Sequence, residues 1–343
     1  MIRALSSLAL CLFPFALSAA QAPPHPSDTL GPQLVEDQAL VLPRDRDTSG
    51  RDPAFVTSFM GAVDAYRQGD YEVARSLWEQ LAEIGFAPAQ HNLGVMHEHG
   101  RGGRVDFVRA AKWYARAGEK EIPAALLNLA RLHLQGRGVA KDAAQALHLL
   151  ESAARLDYPP AQYNLGIAYL KGRGVEVDPE EAAEWFGAAA ESGYAPAQYN
   201  LAGLYLRGEG VDADRAEALS LFGEAARAGD PLAHLSLGIL YYRDKDMPRA
   251  AMHLKTAAEA GLAAAQNQLA IMLARGEVMG KSGKRDPETA LMWFHVAASM
   301  GGVEAAKNRD AFAKSVSPKI RKRAQVRAVE FRPHQSSARV AKK

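Results

Sequence analysis

Four groups of side chains in this sequence could carry chemistry. His91, His97 and His99 lie close together in the chain. Zinc would need three or four such ligands converging on one point. His97 and His99 are two apart, so a helix turns them to different faces. His97 also shares a register with His133, Tyr169, Tyr205 and Tyr241, which reads as a packing position. The second group, Gly276-Glu277-Val278-Met279-Gly280-Lys281-Ser282, has three residues between its glycines. A phosphate-binding loop needs four and follows a strand, whereas this segment follows a helical pattern. The third is a row of amides, Asn92, Asn128, Asn164 and Asn200, with Tyr163 and Tyr199 one place before two of them. The fourth is a row of cations, Lys171, Arg207, Arg243 and Arg275, with His99 and Gln135 in the equivalent earlier places. No Ser stands three residues before a Lys and no Gly-x-Ser-x-Gly occurs, so two serine-nucleophile signatures are missing. No cofactor or metal is expected.

The elements that must position these rows are set by a period. Asn92-Leu93, Asn128-Leu129, Asn164-Leu165 and Asn200-Leu201 recur every 36 residues; Ser236-Leu237 follows at the same interval and Gln268-Leu269 after 32. A fixed period of this size marks stacked supersecondary units, which present long surfaces more often than closed pockets. Each unit reads as helix, loop, helix. In the third, Ala161, Leu165, Ala168 and Tyr169 share one face, and Gly172 ends the helix. Asp178-Pro179-Glu180-Glu181 then opens the second helix as N-cap, first helical residue and capping box. Asp142 with Gln145, Asp214 with Glu217, and Asp286-Pro287 repeat that signal, which explains these carboxylates without acid chemistry. Second helices carry Ala110, Ala146, Ala182, Ala218, Ala250 and Ala290. Larger residues stand three places on, at Trp113, Leu149, Trp185, Leu221, His253 and Trp293, as close helix packing would use. First helices carry Gly94, Ala130, Gly166, Ala202, Gly238 and Ala270, predicting close backbone approach.

Around this array the organisation predicts six parts. Residues 1–20 form a signal peptide, with Arg3, an apolar Ala4–Leu17 run and small residues at Ser18-Ala19-Ala20. Residues 21–52 are a Pro-rich disordered linker. Residues 53–86 form a helix pair in which Gly69-Asp70-Tyr71, Ala74, Trp78 and Leu81 resemble a tetratricopeptide unit. Six longer repeats span 87–302, capping helices 303–331, and a basic disordered tail 332–343. The formal net charge of +2 among 343 residues gives no argument for a nucleic-acid partner. The last 29 residues nevertheless carry nine Lys or Arg against one Glu. That tail could touch an anionic envelope surface or simply solubilise the chain. Cys11 is the sole cysteine and falls in the signal segment, so an exported chain folds without disulfides. Export to the periplasm is the expected location, with secretion the alternative. Repeat ends can stack, and the oligomeric state stays open.

The phrase Ala-Gln-Tyr-Asn-Leu-Gly, the turn Gly-x-Gly-Val, and Trp-Phe before Ala-Ala-Ala resemble the Sel-one-like repeat (SLR) family, relatives of tetratricopeptide repeats. The resemblance implies an all-α fold: an α/α right-handed superhelical solenoid whose first helices line a concave face. It also implies a non-enzymatic adaptor or regulator binding protein segments in that groove, in envelope signalling or host contact. In relatives the cation row borders the groove. Lys171, Arg207, Arg243 and Arg275 could therefore form a ladder for an extended anionic ligand, or only favour the helix dipole. The Asn row could hold a peptide's amides, as the relatives' groove Asn does, or bond the backbone of a neighbouring repeat. Tyr163 and Tyr199 could touch ligand or cover the core edge. The fifth unit departs from the pattern: Asp244 replaces the turn Gly and the loop is four residues shorter, predicting a local change of curvature. A cysteine-rich branch of the family is associated with β-lactam binding or hydrolysis, and an envelope hydrolase or cell-wall-binding protein of that kind is the alternative; this chain lacks that branch's cysteines.

Overall fold

The computed structural model describes residues 40–43, 53–278, 280, 285–331 and 333. The signal segment, most of the linker, Lys281 and Ser282 of the near-phosphate loop, and nearly all of the basic tail lie outside them. Among the described residues there are sixteen α-helices and no strand. In chain order they are α1 (Pro53–Gln68), α2 (Tyr71–Glu83), α3 (Ala87–His99), α4 (Phe107–Gly118), α5 (Pro123–Gln135), α6 (Ala143–Ala154), α7 (Pro159–Lys171), α8 (Pro179–Glu191), α9 (Ala195–Arg207), α10 (Arg215–Arg227), α11 (Pro231–Arg243), α12 (Met247–Glu259), α13 (Ala263–Arg275), α14 (Pro287–Ser299), α15 (Val303–Ala313) and α16 (Pro318–Glu330). This is an all-α solenoid of helix-turn-helix repeats. It divides into two compact units, one reaching Ala197 and including 209–212, the other comprising 198–208 and the chain from Ala213 on.

In the first unit each helix packs on the next in the chain, from α1 to α8. The first helix of a repeat is enclosed almost all round: in α3 every residue from Ala87 to Glu98 is buried. The second helix is one-sided, with Ala110, Ala111, Tyr114 and Ala117 forming the inner stripe of α4. Capping follows the sequence. Asp142 Oδ1 accepts from Gln145 N (3.0 Å), and Asp178 Oδ1 from Glu180 N and Glu181 N (both 3.1 Å). In the second unit Asp214 and Asp286 do the same for α10 and α14. Each cap contributes about 1 kcal/mol.

The small-beside-large expectation is met three places on by the buried Leu149, Leu221 and Trp293, and a second large row stands one position further. The large side chains sealed in the core stand four places after the alanine: Tyr114, Leu150, Phe186, Phe222, Leu254 and Phe294 are all fully buried. The residues three places on are only partly covered at Trp113, Trp185 and His253. A helical side chain leans toward its own N-terminus, so the i+4 residue lies over the alanine one turn back. What approaches the small residue of the first helix is a ring or branched side chain rather than backbone. A Cβ on Gly94 would lie 2.5 Å from the Tyr114 ring, on Gly166 2.8 Å from Phe186, and on Gly238 2.6 Å from Leu254.

The second glycine of the Gly-x-Gly-Val turn locks one repeat to the one before it. Gly138 has φ +71°, and a Cβ there would sit 2.2 Å from the carbonyl of Phe107, the first residue of α4. Gly210 meets the first residue of α8 likewise, 2.0 Å from Pro179 O, and Gly102 and Gly174 meet Tyr71 and Ala143. The sixth repeat has Val278 in that place, and the fifth has no such glycine either. There Asp244 ends α11, Lys245 takes φ +60°, and Asp246 N bonds Tyr241 O at 2.9 Å, so the hairpin closes directly into α12. The contact with the preceding second helix is kept by charge. Arg215, the first residue of α10, donates to both carboxylate oxygens of Asp244 at 2.7 and 2.6 Å.

Candidate peptide-binding groove

Asn92 makes the most telling contact of the predicted rows. Its side-chain Oδ1 accepts from Val41 N at 2.9 Å, and its Nδ2 donates to Val41 O at 3.2 Å. One amide side chain thus reads both backbone groups of one residue in a short segment, Leu40–Pro43, that is 51 residues away in sequence. Val41 packs against the apolar cluster that includes Val95, Leu127 and Leu132, and Leu40 against the one that includes Phe59, Trp78 and Leu93. Leu42, between them and Pro43, is 46% exposed. Within the same unit Asn128 and Asn164 are buried, and Asn164 Nδ2 turns back to Pro160 O at 2.6 Å. In the second unit Asn200 is buried as well.

The bond to the neighbouring repeat's backbone is made two places earlier than Asn. Gln90 Nε2 donates to Ala82 O (3.0 Å), Gln162 Nε2 to Ala154 O (3.4 Å) and Gln266 Nε2 to Ala258 O (3.0 Å). Each glutamine satisfies a carbonyl near the end of the preceding second helix, where helical bonding runs out. In the sequence this task is one of two alternatives open to the Asn row. Four of the six phrases, at 89–90, 161–162, 197–198 and 265–266, open with the Ala-Gln pair that signals it.

Tyr163 and Tyr199 leave the set of groove contacts: both are 1% exposed. Tyr163 packs on Phe186 and Tyr194 with ring centroids 5.7 and 5.5 Å away, and Tyr199 on Phe222 at 5.3 Å. Each ring fills the space between its own first helix and the second helix that follows. Lys171, Arg207, Arg243 and Arg275 are exposed and stand as the last residues of α7, α9, α11 and α13. Arg275 is also engaged laterally, with Tyr242 OH at 3.3 Å and Glu277 at 3.8 Å. Their placement satisfies the helix-dipole role whatever else they do.

A polar cluster in the first unit went unread. Glu98 accepts from Tyr114 OH (2.9 Å) and pairs with the Arg131 guanidinium; Glu98 is 5% exposed and Arg131 2%. The other repeats have Leu134, Leu170, Leu206, Tyr242 and Ala274 in the place of Glu98, and Val95, Ile167, Gly203, Ile239 and Ile271 in the place of Arg131. Two opposite charges at otherwise apolar registers of consecutive repeats are a pairing signal. In the second unit His234 Nδ1 lies 2.9 Å from His253 Nδ1, and His253 stacks on Tyr241. Burial lowers the pKa of both imidazoles; for His253 the neighbouring His234 and Arg249 push the same way. Of the first histidine group, His91 is buried against Tyr114 and His97 is buried with its pKa lowered chiefly by desolvation. Among the described residues no group of three or more His, Cys, Asp or Glu converges as metal ligands would, and no helix is long and apolar enough to cross a membrane.

A repeated helical hairpin with a Gln bond back to the previous unit and a glycine turn seated on it defines a repeat solenoid of the tetratricopeptide kind. The chain belongs to the Sel1 repeat family, whose model matches residues 87–121, 123–158, 159–194, 195–230, 231–262 and 263–302. Among solved structures it is 28% identical to a Sel1 repeat protein from Oxalobacter formigenes, with TM-score 0.64, covering 71% of this chain and 99% of that one. It is 27% identical to c5321, a protective antigen of uropathogenic Escherichia coli displaying an SLR fold, with TM-score 0.52, covering 82% of this chain and 69% of that one. A curated mouse relative, DAP3-binding cell death enhancer 1, is 32% identical over 102 residues, 28% of this chain. The chain spans about a fifth (19%) of that relative's length. A solenoid of such repeats is a fold consistent with protein–protein interaction.

Proposed function

We propose that this protein is an exported, non-enzymatic adaptor that holds protein segments in extended conformation against its first helices, in the periplasm and in the service of envelope signalling. The observation that carries the reading is the Asn92–Val41 pair. An extended segment already lies on a first helix, held by its backbone through an amide side chain of the repeated row. Backbone-directed bonds give affinity for any extended chain, and flanking apolar pockets give selectivity. The export reading is supported by the Arg3, Ala4–Leu17 and Ser18-Ala19-Ala20 pattern. A weak contact of the basic tail with an anionic envelope surface belongs to the same reading.

The test is crosslinking in cells with a photoreactive residue at position 207, which is exposed, combined with fractionation. The expected result is a protein partner in the periplasmic fraction whose crosslink is lost in Arg243→Ala or Arg275→Ala. Crosslinks unaffected by either substitution, or a chain retained in the cytoplasm, would count against it. A covalent penicillin adduct on homogeneous protein would replace it with the envelope-hydrolase reading.

A further inference from the structure

We propose that Leu40–Pro43 is a resident ligand of the Asn92 site, and that the site's external ligand is an extended peptide carrying two adjacent aliphatic residues, which binds by displacing it. This deepens the adaptor reading and rests on it. Three features of the site define the ligand. Asn92 contacts only backbone atoms of Val41, one N–H and one C=O, so the clamp demands extended conformation and a residue other than proline at that place. Leu40 and Val41 are half-buried in two different apolar clusters of the first unit, so the selective positions are two adjacent aliphatic side chains. Leu42 is 46% exposed, so the next position is permissive.

The occupant is covalently tied to the site. Only nine residues separate Pro43 from Pro53, the first residue of α1. A tethered ligand acts at an effective concentration that reaches the millimolar range for short connections. The apparent affinity of a free peptide falls in proportion to the fraction of molecules whose site is open. A weakly fitting peptide is thereby kept out while a better one enters. The half-burial of Leu40 and Val41 leaves room for such improvement, since larger aliphatic or aromatic side chains cover more of the same clusters.

The experiment uses the full chain and a fluorescein-labelled peptide spelling residues 37–46, followed by anisotropy. Against Leu40→Ser/Val41→Ser, in which the resident segment no longer fits, the peptide is expected to bind at least tenfold more tightly than against the unaltered chain. Adding Asn92→Asp keeps the side-chain size but removes the donor to Val41 O, and should weaken binding about tenfold, the loss of one clamp bond. An N-methyl group on the peptide's Val41 nitrogen should do the same from the other side. Equal binding to the first two chains, or indifference to Asn92→Asp and to N-methylation, overturns the proposal. So does a Leu40→Ser/Val41→Ser chain that fails to fold by circular dichroism, because the segment is then core. A dimer by light scattering that exchanges segments between copies overturns the cis assignment. If the peptide assay fails while crosslinks at 207 remain substitution-dependent, this inference falls alone; if both fail, the adaptor reading falls with it.

Discussion

Gly138→Ala tests how repeats are coupled. The residue sits at φ +71°, and its missing Cβ would occupy a point 2.2 Å from the Phe107 carbonyl. Left-handed backbone costs a residue with a Cβ about 1–2 kcal/mol. Relieving a contact so far inside van der Waals distance requires the turn to lift off α4, and overpacking of this kind costs about 1–3 kcal/mol. The total is about 2–5 kcal/mol, a large part of the stability of a single domain. Gly187→Ala is the matched control: it lies within α8, nothing would come within 4 Å of its Cβ, and it should stabilise by about 0.5–1 kcal/mol. Guanidinium denaturation followed by circular dichroism measures both, with the slope checked for two-state behaviour. A Gly138→Ala chain within about 0.5 kcal/mol of the parent, the range of an ordinary surface change, would refute the seating argument.

Three further expectations follow from buried polar groups. Arg131→Ile should cost about 3–5 kcal/mol by stranding the Glu98 carboxylate, whereas Arg131→Ile/Glu98→Leu should recover most of that loss; a double variant no better than the single would show the pair is not the relevant unit. Acidification should destabilise the second unit. His234 and His253 have folded pKa values below their unfolded value near 6.5, so their contribution is complete above that pH and is lost as pH falls through the folded values. Asp230, which raises the pKa of His234, opposes this, while Arg249 adds to it at His253. Melting temperature from pH 7.5 to 5 should fall, and His253→Leu should flatten the slope; a parallel slope would contradict the imidazole contact. Gln162→Leu should lower stability by about 1–3 kcal/mol by leaving Ala154 O unpaired, and a neutral result would indicate that water takes over the bond.

Much of the fold is written in the chain because repetition amplifies weak signals. One Asp-Pro is a suggestion; the same cap before successive second helices fixes where helices begin. The site was read less well, for reasons that are local and physical. Tyr163 and Tyr199 have rings that suit a core or a rim equally, and only the position of Phe186 and Phe222 decides between them. The more deeply buried large row, one residue further on, is not marked by spacing alone, which does not say which way a helical side chain leans. The Glu98–Arg131 pair was visible as a break in the apolar register of two repeats, but only to a comparison of repeats position by position. The Leu40–Pro43 segment carries no periodic mark, and a contact 51 residues long leaves no local trace.

The ion pair that stands in for a glycine seat makes its joint chemically unlike the four seated by Gly102, Gly138, Gly174 and Gly210. Arg215 and Asp244 are each nearly half open to water, and such pairs are worth at most about 1 kcal/mol and weaken as ionic strength rises. The glycine-seated turns rest on carbonyl contacts that salt leaves alone. Dissolved electrolyte therefore loosens the joint between α10 and the tip of the α11–α12 hairpin while leaving the glycine seats untouched, so that the medium around the protein tunes how firmly that hairpin is held.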